Sequence, residues 1–393
     1  MIIRHGDRTP DTTKPEIGHP SVDYKCGVAG IVHRSETWGA HRPNLWTGLK
    51  DFPPLSPVGP GNIRNGGLRL HPGSVNMTCG VGDLTARGFL QLHNLGTLLQ
   101  MSYGQLFPSM DMTTDIHVQS TDFRRTIRSA GAFLLGFVPN VPKIREMVKI
   151  HIEPGGLSQA PPNGVPLTYK PCRNLRNVRE TENEKRGYYA REKDFHWMYD
   201  KVVDLFNLSV TPAIQWTDLF DKFVTRGCHA LDSHSILPCT KDGVCIDCRL
   251  GRGMFEYADW SMASRYPPNS SLLALTPFLK HSLLEPIERI IAGDQSSLKY
   301  RIMLTFTHDS VLNRIFKALG LPLKEWVPYA SRFSFELWKG APFMQTPTYY
   351  LRVLFNGKIV TPFSNGDEIV NFSKFKENVV PVDLWAYNKL CGI

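Results

Sequence analysis

Apolar positions along this chain follow two periods. Leu84, Leu92, Leu95 and Leu99 recur at helical spacing and predict a helix over Thr85–Met101. A second helix is predicted from Asp122 through the run Ile127 to Leu135. A third follows Ser310, where Val311, Leu312, Ile315, Phe316 and Leu319 share one face. Short apolar runs precede these helices and read as strands: Met1–Arg4, Ile116–Gln119 and Arg301–Phe306. Toward the end, Phe333–Trp338 and Thr348–Phe355 are β-rich, and Asn356-Gly357 is a hairpin turn signal. Strands alternating with helices predict an α/β core, a sheet flanked by helices.

Two long stretches interrupt that alternation. Residues 11–79 are rich in proline and glycine, with Pro53-Pro54, Gly66-Gly67 and Pro72-Gly73, and read as an irregular loop insertion. Residues 151–298 carry helical patterns, among them Phe195–Phe206 and Leu272–Ile291, and predict a mainly helical cap. The catalytic core is then assembled from 1–10, 80–150 and 299–393.

Three polar segments sit where strands give way to loops or helices. The first is Arg4-His5-Gly6-Asp7-Arg8-Thr9-Pro10. Arginine forks match phosphoryl oxygens, and a neutral imidazole between them can attack phosphorus. The second, Ser120-Thr121-Asp122-Phe123-Arg124-Arg125, places Arg125 at a strand-to-helix junction, where anions are favoured. The third is His308-Asp309, directly after Ile302-Met303-Leu304-Thr305-Phe306. In open α/β sheets ligands bind beyond the carboxyl ends of strands, which is where all three fall. The arrangement casts His5 as nucleophile, Arg4, Arg8, Arg125 and His308 as phosphate ligands, and Asp309 as general acid. Since an ordinary aspartate titrates near 3.9, that last role needs a site or a medium that keeps Asp309 protonated. Asp7 reads as a turn residue, Arg124 as surface or structural, Glu336 as a packing or salt-bridge residue, and His71, His93, His117 and His229 as structural or surface.

The motifs resemble those of the histidine acid phosphatase family, a branch of the phosphoglycerate-mutase-like fold whose first motif reads Arg-His-Gly-x-Arg-x-Pro. Leu84-Thr85-x-x-Gly88 and Arg125-Thr126-x-x-Ser129 match further motifs in the family's order, and Gln119 stands where many members carry another arginine. The resemblance implies a phosphoglycerate-mutase-like sheet with an inserted helical cap. It also implies metal-independent phosphomonoester hydrolysis through a phosphohistidine, with no cofactor. No His-Glu-x-x-His set occurs, and no metal is expected.

Composition narrows the partners. The chain has 393 residues, 42% of them hydrophobic, and a formal net charge of +9 without a long basic run. Such a field draws anions, so a phosphorylated glycan or another anionic phosphomonoester fits, whereas no nucleic-acid module is present. A broad-specificity acid phosphatase, an inositol-polyphosphate phosphatase and a catalytically silent luminal binding protein are the alternatives.

Eight cysteines and four Asn-x-Ser/Thr sequons, at Asn76, Asn207, Asn269 and Asn371, predict a secretory-pathway lumen, with the Golgi as first choice and secretion or lysosomes as alternatives. The cysteines are expected to be mostly or all paired, with Cys391 tying the terminus to Cys172. A zinc ribbon on Cys228, Cys239, Cys245 and Cys248 is the competing reading. The strand before Arg4 is short, and no signal peptide or membrane-spanning run occurs, so an N-terminal part with a signal or membrane anchor is expected to be missing.

Overall fold

The computed structural model describes residues 1–11, 22, 24–26, 57–58, 79–109, 114–138, 150–153, 172–208, 216–229, 238–294, 300–340, 348–360, 362–363, 366–379 and 381–393. In chain order the strands are β1 (Ile2–Arg4), β2 (Pro57–Val58), β3 (Ile116–Thr121), β4 (Ile150–Glu153), β5 (Ile302–Thr307), β6 (Arg332–Lys339), β7 (Tyr349–Phe355), β8 (Lys358–Val360) and β9 (Val370–Asn371). The helices are α1 (Ala86–Tyr103), α2 (Arg124–Phe137), α3 (Leu175–Lys185), α4 (Tyr188–Glu192), α5 (His196–Leu205), α6 (Trp216–His229), α7 (Cys248–Ser264), α8 (Pro268–Phe278), α9 (Glu285–Ile291), α10 (Asp309–Ala318), α11 (Phe372–Asn378) and α12 (Leu384–Cys391).

The strands form one mixed sheet in the order β2-β4-β3-β5-β1-β6-β7-β8, with β9 on β7. From β2 to β1 the neighbours are parallel, and from β1 onward they are antiparallel. Successive residues of a strand face opposite sides, so Ile3 joins one core and Ile2 the other. On the first face Leu92, Leu95 and Leu99 of α1 and Phe133 and Phe137 of α2 pack with Val118, Leu304 and Phe306. On the second face Val311, Leu312, Ile315 and Phe316 of α10 pack with Leu275 and Phe278 of α8 and with Phe333. Thr85 caps α1 by accepting from the amide of Gly88, which is why the helix begins there.

Two sequence-based boundaries shift. Pro57–Val58, inside the expected irregular loop, pairs in parallel with β4 at the sheet's edge. The helical stretch 151–298 divides between two cores. Helices α5, α6 and α7 share a separate core of Met198, Val202, Leu219, Phe223, Leu250 and Met254. Helices α8 and α9, joined by a π-helical turn at Leu279–Leu284, pack instead on the sheet's second face. The physical reason is composition: α8 is apolar around most of its circumference, and a helix of that kind must be buried on several sides.

Cys172 is bonded to Cys391, and Cys26–Cys79 and Cys239–Cys245 form further bridges. Among the described residues Cys248 is an exposed free thiol, which departs from complete pairing, and the side chain of Cys228 lies outside them. With Cys239 and Cys245 joined to each other, the zinc-ribbon reading fails. Asn207 and Asn269 are exposed, the Asn371 carboxamide oxygen caps α11 at Ser373 N and Lys374 N, and Asn76 lies outside the described residues.

Candidate active site

The order β3-β5-β1 makes three parallel strands neighbours and brings their carboxyl ends side by side. Arg4 ends β1, with His5 and Arg8 beyond it; beyond β3 comes Arg125 in the first turn of α2; beyond β5, His308 and Asp309 at the start of α10. The six residues singled out in the sequence thus meet at one edge.

His5 is 2% exposed, and its backbone is fastened on both sides, N–H to Thr307 O (3.0 Å) and C=O to Ala330 N (3.1 Å). Nδ1 lies 2.8 Å from the carbonyl oxygen of Gly6, so Nδ1–H donates there and Nε2 keeps its lone pair. The imidazolium is strongly disfavoured. Burial first, then the charges of Arg125, Arg4, His308 and Arg8, hold the ring well below the ordinary histidine range. His308 is held down to about 3, by burial and Arg125 foremost, and its Nε2 lies 3.1 Å from Thr121 Oγ1. The turn that carries His5 is packed backbone to backbone against α1. A Cβ on Gly6 would fall 2.3 Å from Gly88 O, and one on Gly88 would fall 2.1 Å from Asp7 O.

The three arginines are held differently. Arg4 is fully buried between the rings of Trp326 (4.1 Å) and Tyr329 (4.2 Å), donates to Val327 O, and pairs through Nη2 with Asp309 Oδ2 (3.0 Å). Arg8 is gripped in a fork by Asp221 of α6, at 3.1 and 2.8 Å. Arg125 lies over the ring of Phe123 (4.8 Å) and has Asp11 3.3 Å away. Among the described residues, the buried Nε–H groups of Arg4, Arg8 and Arg125 have no hydrogen-bond partner. Buried donors are rarely left so, and an oxyanion would satisfy them.

Asp309 receives Trp326 Nε1–H (2.9 Å) on the same oxygen that faces Arg4, while Oδ1 accepts from Ser310 N (2.7 Å). Burial pushes its pKa up, but Arg4 and then the Trp326 bond outweigh that, and the carboxyl ends below the usual carboxylate range. The protein groups by themselves therefore favour the ionised form of Asp309, so of the two expected sources of protonation, the site and the medium, the site alone does not supply it.

Sequence reasoning missed a second tier. Asp7 is no solvated turn residue. It is completely buried, and one carboxylate oxygen takes hydrogen bonds from Thr85 Oγ1 (2.5 Å) and His229 Nε2 (2.5 Å). His229, read as structural or surface, is the other end of that tie. Asp221, Thr225 and His229 stand four residues apart on α6, so one helix face meets the turn after β1, Asp221 at Arg8 and His229 at Asp7. That i, i+4, i+8 polar spacing was visible in the sequence, but its partner lies more than two hundred residues away. Arg124 pairs with Asp83 (3.5 Å) and Glu336 with Arg352 (2.7 Å), in keeping with their structural readings. Gln119 is buried in β3 and donates to Thr305 Oγ1 (2.9 Å). Among the described residues, no group of three or more His, Cys, Asp or Glu is arranged to hold a metal.

The model of the histidine phosphatase superfamily (branch 2) matches residues 1–229 and 266–356. The chain belongs to that family. Its relatives include 2-phosphoxylose phosphatase 1 of Xenopus tropicalis, 27% identical over 92% of this chain and 67% of that protein. The human protein of the same name is 26% identical over 92% of this chain and 70% of its own length. Counting factor 60 of Dictyostelium discoideum is 26% identical over 100% of this chain and 87% of that one. Among solved structures, the phytase of Citrobacter braakii superposes with a TM-score of 0.56 at 13% identity, covering 96% of this chain and 95% of its own. This branch 2 histidine phosphatase is a phosphomonoester hydrolase with a mixed sheet flanked by helices. Its disulfides are compatible with a secretory-pathway lumen, and among the described residues no helix is long and apolar enough to cross a membrane.

Proposed function

We propose that this phosphatase removes a phosphate from a sugar within a glycan, the 2-phosphate of xylose in the proteoglycan linkage region, with His5 as nucleophile. The carrying observation is a buried imidazole, its charged form disfavoured, among three arginines whose Nε–H donors have no acceptor among the described residues. His5 Nε2 attacks phosphorus, the bond from phosphorus to the sugar oxygen breaks, and a phosphohistidine forms. Arg4, Arg8, Arg125 and His308 hold the non-bridging oxygens, and their fixed charges stabilise the transition state without reorganisation.

The leaving alkoxide needs a proton, which Asp309 delivers. Phosphate binding prepares it. The substrate draws on Arg4 and adds a like charge beside Asp309, both of which raise a carboxyl pKa. Below about pH 6 a phosphomonoester also carries a proton of its own. In the second step Asp309 takes a proton from water, water oxygen attacks the phosphohistidine, and inorganic phosphate leaves with His5 neutral again.

The sugar-phosphate reading is supported by relatives named 2-phosphoxylose phosphatase 1 that align over 92% of the chain. Asp11 and Asp221 beside the clamp are poor company for a dense polyanion such as inositol hexakisphosphate. A Golgi lumen follows from the same reading, as does a helical cap inserted in an α/β core, with α8 and α9 on the side of the core. The test is phosphate release from three substrates, a xylose-2-phosphate linkage oligosaccharide, inositol hexakisphosphate and an aryl phosphate, by wild type and His5→Ala. The oligosaccharide should give the highest kcat/KM, a phosphohistidine should be trapped on wild type at acid pH, and both should vanish in the variant. Turnover by His5→Ala would remove His5 from its role, and preference for inositol hexakisphosphate would overturn the substrate.

A further inference from the structure

Resting on the phosphatase reading, we propose that Asp11 is a displaceable internal anion of the phosphate clamp, whose carboxylate competes with phosphate and hastens release of the inorganic phosphate product. Its two oxygens sit on two different arginines: Oδ2 is 2.9 Å from Arg8 Nη2, and Oδ1 is 3.3 Å from Arg125 Nη1. Two oxygens of a phosphoryl group would bridge a pair of guanidinium groups in the same way.

The surroundings separate Asp11 from the other carboxylates nearby. Asp221, with its side chain 13% exposed, binds Arg8 through both oxygens and is a fixed counter-charge. Asp11 has a side chain 45% exposed, over arginines exposed by only 9% and 14%. It closes the outer side of the clamp and can swing into solvent. The side chain can move without its backbone, because the peptide unit joining Pro10 to Asp11 is held at both its amide and its carbonyl oxygen. Asp11 N donates to Asp221 Oδ2 (2.7 Å), and Pro10 O accepts from Gly82 N (2.8 Å).

Arg8 also has few terminal donors to spare. Nη1 is used by Thr9 O (2.9 Å) and Asp221 Oδ2, and Nη2 by Asp221 Oδ1, so the remaining Nη2 direction is the one Asp11 takes. Position 82 makes room for this carboxylate. Gly82 has φ of +68°, and a Cβ there would lie 2.5 Å from Asp11 Oδ1 and 3.2 Å from Arg125 Nη1. Phosphate entering the clamp must displace Asp11 or meet it as a like charge. When the phosphohistidine is hydrolysed, the returning carboxylate takes back both arginines.

The experiment compares wild type, Asp11→Asn and Asp11→Ser, using an aryl phosphate as substrate and inorganic phosphate and vanadate as inhibitors. The expected result is that Ki for phosphate falls about fivefold or more in both variants, since each removes a charge that competes at the clamp. KM falls with it, and kcat does not rise, because product leaves more slowly. Unchanged or raised Ki in both variants would overturn the proposal and make Asp11 a residue that merely holds the arginines in place. Should one variant fold poorly by circular dichroism, the other carries the comparison. Failure of the underlying reading looks different: wild type would neither hydrolyse the ester nor bind phosphate.

Discussion

At the scale of single residues, two groups of the site are held below their ordinary pKa ranges. His5 is kept neutral by burial and by the cations around it. A histidine of depressed pKa binds fewer protons folded than unfolded below about pH 6.5, so folding stability should fall as the pH drops through that value. Activity should not follow, because the nucleophilic form persists. The expected outcome is a kcat/KM profile with no loss of activity at pH 6.5 on acidification, while Tm declines. His5→Ala should lessen that decline, leaving the part that His308 contributes. An activity step at pH 6.5 would show a solvated, ordinary histidine. Asp309 is also held low, by Arg4 and the Trp326 bond against its burial, and in the proposed mechanism it takes up its proton with the substrate. Asp309→Asn should slow hydrolysis of a sugar phosphate by about 10²–10⁴. An aryl phosphate, whose leaving group needs little protonation, should lose much less. Equal losses on both would assign Asp309 to positioning Arg4.

At the scale of elements, the strand ends were legible and the cap contacts were not. Arg4-His5, Arg125 and His308-Asp309 each follow or flank an apolar run, and local pattern suffices to place them at the edge of a sheet. Asp7 could not be read in this way. Its burial depends on Thr85 and on His229, 222 residues further along, and no local period encodes such a contact. Helix α8 was assigned to the cap for the same reason. Its apolar surface says that it is buried, not against which core. The Asp7–His229 tie yields its own expectation. His229→Leu leaves a buried carboxylate with one donor instead of two, which should cost about 1–3 kcal/mol. Because α6 also carries Asp221, the same substitution should raise KM more than it lowers kcat, measurable with an aryl phosphate. A change in Tm without a change in KM would show that α6 docks independently of that bond.

At the scale of the whole molecule, the Cys172–Cys391 bridge spans 219 positions and joins the start of α3 to the final helix. In the chain-entropy model a loop of that size stabilises by up to about 5 kcal/mol. Cys391→Ser should therefore lower Tm by several degrees without changing KM, and non-reducing peptide mapping of wild type should recover the two cysteines in one linked species. The bridge has a consequence for proteolysis. A single cut at a peptide bond between residues 172 and 391, outside the Cys239–Cys245 loop, leaves two pieces joined by that disulfide alone. One piece carries His5, and a cut before residue 308 puts His308 and Asp309 on the other. Such a nicked enzyme should migrate as two bands only after reduction, and hydrolyse phosphate esters until reductant is added.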